Sequence, residues 1–442
     1  MATSHRAIVL GWQLDHPNEL ADVQAPELVA HAAVIAQSGS GKSFVLGRLI
    51  EEILLRTSAR VCIVDVNGDF RKFHLPNDKA WDANERRRIG RLTLPACDGT
   101  RRAFVADWCR RIKMRRITRQ THDVPGNAIP AKISWSAIDV LEQMDVLECV
   151  VACDTTGLYP ELAALRELAA QSEVDTSPPG LIKQSRTEGS KFTELVKTFA
   201  VSIGIVKKGP LKEEKERRQQ RLAESMDHLG ELRVWRTNGG DQDLRRVLCE
   251  PRREWDVSII DLPSLPPNAR LLVVNYALHS LWESAQAEWA NAMAGPPDQD
   301  KRVPTFVLID EAQNFVPSEP RDKLAARVHE MIAIIAAEGR KYGLFVILAT
   351  QRPAKVSRAV LAECENVCIL RLQSPLDHQI AADTWGVSSA DVSRTRYFNK
   401  GDGLLLGRWV ASPTAFHAAY RRTAEGGANL RAEYWTRRRR AH

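Results

Sequence analysis

The eight cysteines (Cys62, Cys97, Cys109, Cys149, Cys153, Cys249, Cys364 and Cys368) contain no C-x-x-C pair. Cys149/Cys153 and Cys364/Cys368 are four residues apart, with no histidine at ligand spacing. A zinc site and a disulfide framework are therefore not expected, and free buried thiols in a cytosolic protein are. Nor does any apolar run approach the roughly 18 residues that a membrane-spanning helix needs. Met1 to Leu10 lacks the long apolar core and cleavage site of a secretory signal, so a cytoplasmic location without a membrane segment is expected. Acidic residues almost vanish between Arg86 and Arg119, where twelve lysines and arginines face only Asp98 and Asp107. That local excess is larger than the +7 of the whole chain, and a concentrated basic face suits a polyanionic partner. The remaining composition, 44% hydrophobic and 26% charged over 442 residues, is that of a globular protein with room for two or three domains.

What is present is most specific at Ala36-Gln37-Ser38-Gly39-Ser40-Gly41-Lys42-Ser43. A short apolar run, Ala32 to Ile35, precedes it. Val45, Leu46, Leu49, Ile50, Ile53 and Leu54 come after it at helical spacing. Strand, glycine-rich turn and helix make a phosphate cradle. Gly39 and Gly41 let the backbone curl so that the N–H groups around Ser38 and Ser40 face one point. The new helix adds its positive end there. Lys42 would reach the β- and γ-phosphates of ATP, and Ser43 would offer its hydroxyl to Mg²⁺. Ala36 stands where the usual pattern has its first glycine, the smallest change available.

A second strand, Val61 to Val64, ends in Asp65, and Asn67-Gly68 marks a turn. Up to about residue 75 this is a βαβ unit, hence an α/β fold with a parallel-rich sheet. Arg6 to Leu10 fits a first edge strand. From 76 to 250 the pattern becomes helical, with Phe104, Val105, Trp108 and Ile112 on one face and arginines on the other. That stretch is expected to be a mainly helical, basic insertion. Arg115 and Arg116 on its basic helix are the candidates for nucleic-acid contact. Strand character returns at Val257 to Asp261, Thr305 to Ile309, Leu344 to Ala349, Val367 to Leu372 and Gly403 to Val410. Helices are expected over Leu271 to Trp289 and over Lys323 to Glu338, the latter closed by Gly339. Four regions result: 1–75 and 251–425 as two parts of a nucleotide-binding core, 76–250 as the insertion, and 426–442 as a basic tail with Arg437 to Arg440.

Phe306-Val307-Leu308-Ile309 with Asp310-Glu311 after it is a buried strand delivering two acids to the carboxyl edge of a sheet, where open α/β folds bind ligands. Asp310 suits the Mg²⁺ shell, and Glu311 suits a general base for the attacking water. Gln351, in the Thr350-Gln351 pair that ends the strand Leu344 to Ala349, suits a γ-phosphate sensor. A competing pattern exists: Asp65-Val66-Asn67-Gly68 fits D-x-x-G, and Asn399-Lys400-Gly401-Asp402 fits N-K-x-D, as in GTPases. Against it, Asp65 comes too soon after Lys42 to leave a switch segment. Asn399 comes after a polar stretch, not a buried strand, and Asp310-Glu311 would have no use.

The segment Phe306 to Pro317 resembles the second nucleotide motif of the HerA branch of the HerA/FtsK ATPases. Ala337 to Gly343, Leu348 to Pro353, Ser258 to Pro266, Asp65 to Phe70 and Lys400 to Arg408 resemble further segments of that family. The resemblance implies a RecA-like ASCE core, a hexameric ring, and ATP hydrolysis with Mg²⁺ that drives translocation along, or unwinding of, duplex DNA. It implies Lys42 and Ser43 as phosphate and metal ligands, Asp310 and Glu311 as the acids, and Gln351 as the sensor. It also implies an arginine supplied by a neighbouring subunit. Arg340 is the first candidate for that finger, with Lys341 and Arg352 as alternatives. HerA proteins carry an amino-terminal β-barrel that docks a nuclease, whereas 35 residues precede Ala36 here. A nuclease or another effector is therefore an open expectation, and a motor serving a mobile-element, defence or DNA-transfer system fits. Two alternatives stay open: a nucleotide-gated scaffold recruiting an effector enzyme, and a soluble relative of DNA-transfer coupling ATPases.

Overall fold

The computed structural model describes residues 7–75, 77, 114–118, 128–133, 242–249, 256–296, 300 and 302–426. In chain order, β1 (Ala7–Gln13) and β2 (Leu20–Gln24) form an antiparallel pair. β3 (Ala32–Ile35) leads through the glycine-rich turn into α1 (Lys42–Arg56), and β4 (Arg60–Asp65) comes after it. β5 (Met114–Thr118), β6 (Ala128–Lys132), β7 (Gln242–Asp243) and α2 (Leu244–Cys249) come next. Then come β8 (Val257–Asp261), α3 (Pro267–Ala294), β9 (Thr305–Ile309), α4 (Lys323–Tyr342) and β10 (Leu344–Thr350). The chain closes with α5 (Arg358–Ala362), β11 (Asn366–Leu370), α6 (Pro375–Trp385), α7 (Ser389–Arg394), β12 (Asp402–Gly407) and β13 (Thr414–Ala418).

All these strands join one sheet in the order β2-β1-β13-β12-β11-β3-β10-β9-β4-β8-β5-β6-β7. From β11 to β7 every neighbouring pair is parallel. β12, β13, β1 and β2 continue it antiparallel. Its centre reads as unbroken apolar runs because both faces are covered. In β9, Val307 and Ile309 enter the layer packed under α3 and α4. Phe306 and Leu308 point the other way, to Leu46, Leu49, Ile50 and Ile53 of α1. The apolar face expected for α1 is buried, and so are Arg48, Glu51 and Glu52, with Arg48 paired to both acids. β3 lies between β10 and β11, so the chain reverses its direction of strand addition there. Ligand crevices of doubly wound sheets form at such points.

Several expectations need correction. β1 is covered on both sides by β13 and β2, so β2 is the edge strand. α4 does not stop at Gly339. It continues to Tyr342 and is capped by Gly343 at φ 75°. Gly339 lies inside the helix, where a β-carbon would collide with the Leu344 carbonyl oxygen, so only glycine fits. Most of 76–250, expected as a mainly helical insertion, lies outside the described residues; those described form the helix α2 and add β5, β6 and β7 to the sheet beside β8. Arg115 and Arg116 therefore sit on a strand. Arg115 is 3% exposed and donates to Ser258 Oγ at 2.9 Å and to the Val247 carbonyl oxygen. Its guanidinium is thus held inside the fold, between β8 and α2. Arg116 is partly buried, with its Nε 3.5 Å from Asp261 Oδ2. The rest of the basic stretch and Arg437 to Arg440 lie outside the described residues.

Cys62, Cys364 and Cys368 are free and buried, as expected, and Cys249 is free and partly buried. Burial pushes the Cys62 and Cys368 thiols up to about 12, so they remain protonated. No described helix is long and apolar enough to cross a membrane.

Candidate active site

The phosphate cradle is built on backbone freedom. Gly39 and Gly41 have φ values of 78° and 102°, a region in which a side chain is strained. Gly41 is also approached closely, because a β-carbon there would lie 3.4 Å from the Gly401 nitrogen. Ser40 Oγ donates to the Gln37 carbonyl at 2.6 Å, and the Ser40 carbonyl accepts from Gly401 N–H at 3.0 Å. Ser38 and Gly39 are exposed at the crest. The first turn of α1, at Lys42 and Ser43, leaves N–H groups without intrahelical acceptors. Ala36 needs no glycine-only conformation. It is fully buried, and its N–H donates to the Thr350 carbonyl at 3.1 Å. Ala36→Gly is therefore expected to change nucleotide affinity less than about twofold while lowering stability by roughly 0.5–1 kcal/mol; titration with a fluorescent nucleotide and thermal unfolding check both.

β9 brings its acids to the same edge. Lys42 Nζ lies 2.5 Å from Asp310 Oδ1 and 2.7 Å from Glu311 Oε1. Burial opposes the charge on Lys42, but Asp310 and Glu311 outweigh it and hold its pKa above the usual lysine range. Burial raises Asp310 more than Lys42 lowers it. Glu311 ends below the usual carboxylate range, because Lys42, Gln313 and Gln351 together outweigh its burial. It is thus ionised at neutral pH, as a general base must be. Glu311 has φ 51°, the one positive value outside glycine among the described residues. Such a conformation costs about 1–3 kcal/mol, and its four side-chain donors offset that strain. They are Lys42, Gln313 Nε2 at 2.7 Å, Asn67 Nδ2 at 3.4 Å, and Gln351 Nε2. Asp310 Oδ2 is buried and has no hydrogen-bond partner among the described residues.

The turn after β4 supplies Asp69, a residue that the sequence alone did not single out. Asp65 closes the Asn67-Gly68 turn by accepting Gly68 N–H at 2.7 Å, Asp69 N–H at 3.1 Å and Phe70 N–H at 3.0 Å. Burial nevertheless pushes its carboxyl up to about 7, with Asp310 and Asp261 adding to the rise. The turn places Asp69 against Ser43, whose hydroxyl donates to Asp69 Oδ2. Asp69 therefore belongs to the site, beside Ser43 and Asp310. Its signal in the sequence is the strand end Asp65 to Phe70, an acid-bearing turn at the same sheet edge. Arg421 is a second such residue. It is fully buried, crosses α1 over Gly47, and donates to the Ser43 carbonyl at 3.1 Å. Nothing in its local sequence marks it.

Gln351 is where a sensor is expected, at the end of β10 and bonded to Glu311. Arg340 is not brought to the site. It occupies the last turn of α4, before β10, and pairs with Glu365. The seven-residue β10 separates it from Gln351 by roughly 20 Å within one chain. Lys341 lies over the Trp289 ring at 4.3 Å, also at that far edge. Arg352 is exposed at the near edge. The Asn399 to Asp402 turn does not read a base from the end of a buried strand. Asp402 Oδ2 accepts Asn399 N–H at 2.8 Å, and the turn packs on the phosphate cradle through Gly401.

The match to the family described as the helicase HerA, central domain, runs over residues 10–281, more than half of the chain. A probable helicase of Methanocaldococcus jannaschii is 27% identical over 164 residues, which are 36% of this chain and 30% of that protein. The DNA double-strand break repair helicase HerA of Pyrococcus furiosus is 21% identical over 443 residues, 93% of this chain and 69% of that one. The first match thus spans under a third of its relative's length. Among solved structures, the plasmid coupling protein TrwB in complex with ADP and Mg²⁺ superposes with a TM-score of 0.51. It is 16% identical, over 91% of this chain and 88% of that one. That likeness concerns the fold, a RecA-like nucleotide-binding sheet. With the phosphate cradle, the paired acids and the strand-end glutamine gathered on that sheet, the chain belongs to the family of the HerA helicase central domain.

Proposed function

We propose that the chain is an ATP-hydrolysing, ring-forming DNA translocase or helicase of HerA type. The observation that carries this reading is the convergence of Lys42, Ser43, Asp310, Glu311 and Gln351 at one sheet edge. They come from three strand ends, β3, β9 and β10. The residues fit a bound Mg²⁺: Asp310 keeps one buried oxygen without a partner among the described residues, and the Ser43 hydroxyl and Asp69 lie beside it. A divalent ion held there by Ser43 and Asp310 would neutralise charge on the phosphates of ATP. Lys42 leaves the acids to meet the β- and γ-phosphates. Glu311 takes the proton of the attacking water, and Gln351 orients that water or the γ-phosphate.

Ring formation is supported by the place of Arg340. It lies at the sheet edge opposite the cradle, so an arginine finger at this position acts on the neighbour's nucleotide. Arginine fingers stabilise charge on the transferred phosphoryl group. Interaction with duplex DNA rests on the family and on the relatives named as helicases. Docking of a nuclease or another effector belongs to the same reading. Hydrolysis of ATP with Mg²⁺ is expected to rise several-fold when duplex DNA is added, and the rise is expected to weaken with salt as phosphate contacts are screened. Steady-state phosphate release with and without DNA checks it. A rate indifferent to DNA overturns the motor reading, and no hydrolysis at all overturns the ATPase.

A further inference from the structure

At the carboxyl edge of β9 and β10 a line of hydrogen bonds runs in one direction. Arg352 N–H donates to Thr350 Oγ1 at 3.0 Å, and the Thr350 hydroxyl donates to Gln313 Oε1 at 2.7 Å. Gln313 Nε2 then donates to Glu311 Oε2 at 2.7 Å. The polarity is fixed by the inventory of donors. A hydroxyl has one proton, and an ionised carboxylate only accepts. The Gln313 amide must therefore turn its nitrogen to Glu311 and its oxygen to Thr350. Thr350 is fully buried, so water does not replace it in this line.

We propose that Gln313 is a positioning residue that holds Glu311 for hydrolysis and ties it to the segment leaving β10. The proposal rests on the ATP-hydrolysis reading. It depends on a division of labour on one carboxylate. Oε1 accepts from Lys42, Asn67 and Gln351, and two of these are groups that nucleotide would engage. Oε2 accepts from Gln313 alone among the described residues. When Lys42 moves to phosphate, Gln313 is the donor that no nucleotide role withdraws. It keeps the carboxylate aimed while the residue sits in a left-handed conformation that other backbone states would relieve.

The segments on either side are joined as well. Ser318 N–H donates to the Lys355 carbonyl and Ser357 N–H to the Val316 carbonyl, each at 3.0 Å, and Pro317 bridges Val356. The loops after β9 and β10 thus form one unit. Arg352 is exposed on it. A contact that shifts the Arg352 backbone changes what the Thr350 hydroxyl accepts from, and through Gln313 reaches the general base.

The test compares wild type, Gln313→Ala, Thr350→Val and the double variant. Turnover rate, affinity for a non-hydrolysable ATP analogue and thermal midpoint are measured for each. Gln313→Ala is expected to lower kcat by roughly 10- to 100-fold, the scale of a small misplacement of a reacting group. Nucleotide affinity should stay within about twofold, since no ligand contact is removed. Thr350→Val should lower kcat less, and the double variant should match Gln313→Ala alone, because both lie on one line. A kcat within about twofold of wild type in Gln313→Ala overturns the proposal. So does additivity of the two changes, or a parallel loss of affinity and thermal midpoint, which marks a merely structural role. If wild type turns over and Glu311→Gln does not, yet Gln313→Ala does, this inference alone falls. If wild type shows no turnover, the ATPase reading falls with it.

Discussion

Glu311→Gln is expected to lower the rate of ATP hydrolysis by about 10²-fold or more, the scale of a general base, with nucleotide binding retained. Glutamine has the same shape but cannot take a proton from water. It also turns a donor toward Lys42, Gln351 or Gln313, each of which now donates to the carboxylate. Lys42 keeps Asp310 as its partner at 2.5 Å, so the cradle and its cation stay in place. Single-turnover hydrolysis, measured beside equilibrium binding of a fluorescent ATP analogue, separates chemistry from affinity. Full activity in Glu311→Gln would remove Glu311 from the mechanism. Loss of binding together with activity would show that the carboxylate's main task is to hold Lys42.

Lys42→Ala has a second large effect, on binding and on the empty protein alike. Without the ammonium, the β- and γ-phosphates lose their mobile cation, and nucleotide affinity should fall at least about 100-fold, nearly 3 kcal/mol. Asp310 and Glu311 then remain buried side by side with no cation. Breaking a buried pair by removing one partner costs about 3–5 kcal/mol. The pH dependence has a definite sign. Asp310 already lies above the ordinary aspartate range with Lys42 present, because burial outweighs that lysine. Losing Lys42 raises it further. A carboxyl whose folded pKa exceeds its unfolded value holds a proton that the unfolded chain has released. Stability therefore falls as pH rises from the unfolded value through the folded one. The Lys42→Ala protein should melt at a higher temperature at about pH 5.5 than at about pH 8, by a wider margin than wild type does. An unchanged difference between the two pH values would show that the acids relax apart instead.

The same variant tests the proposed ring. Lys42→Ala and Arg340→Ala subunits are each expected to be inactive, the second while still binding nucleotide. In mixtures, some interfaces pair an intact cradle with an intact arginine, and part of the activity should return. No recovery at any ratio would exclude Arg340 as a finger acting between subunits. Its pairing with Glu365 would then be its only task.

Much of the site was legible along the chain because its parts are local. Gly39 and Gly41 sit where only glycine tolerates the backbone. The apolar runs before Ala36, Asp310 and Gln351 are strands buried on both faces, so the residues at their carboxyl ends must emerge at the same edge. The failures had a different origin. Helical periodicity and charge suggested a basic helix for Arg115 and Arg116, but β8 offered their segment a parallel partner. Backbone pairing in the sheet outweighed the local pattern; Ser258 accepts from Arg115, and Asp261 forms an ion pair with Arg116. Gly339 has the look of a helix stop, while packing against Leu344 needs a glycine inside the helix.

By itself, the sequence determined the kind of core and the groups bearing chemistry: phosphate cradle, paired acids and terminal glutamine. Each depends on a few neighbouring residues, on backbone freedom and on burial of a short run. The tertiary structure alone decided which of those groups meet. Placing β3 between β10 and β11, and β9 between β10 and β4, sets Lys42 against Asp310 and Glu311. It brings Asp69 to Ser43 and Thr350 to Gln313. It also leaves Arg340 at the far edge, a strand's length from the cradle in its own chain. Strand order is a product of long-range packing between segments hundreds of residues apart, and spacing along the chain carries no record of it.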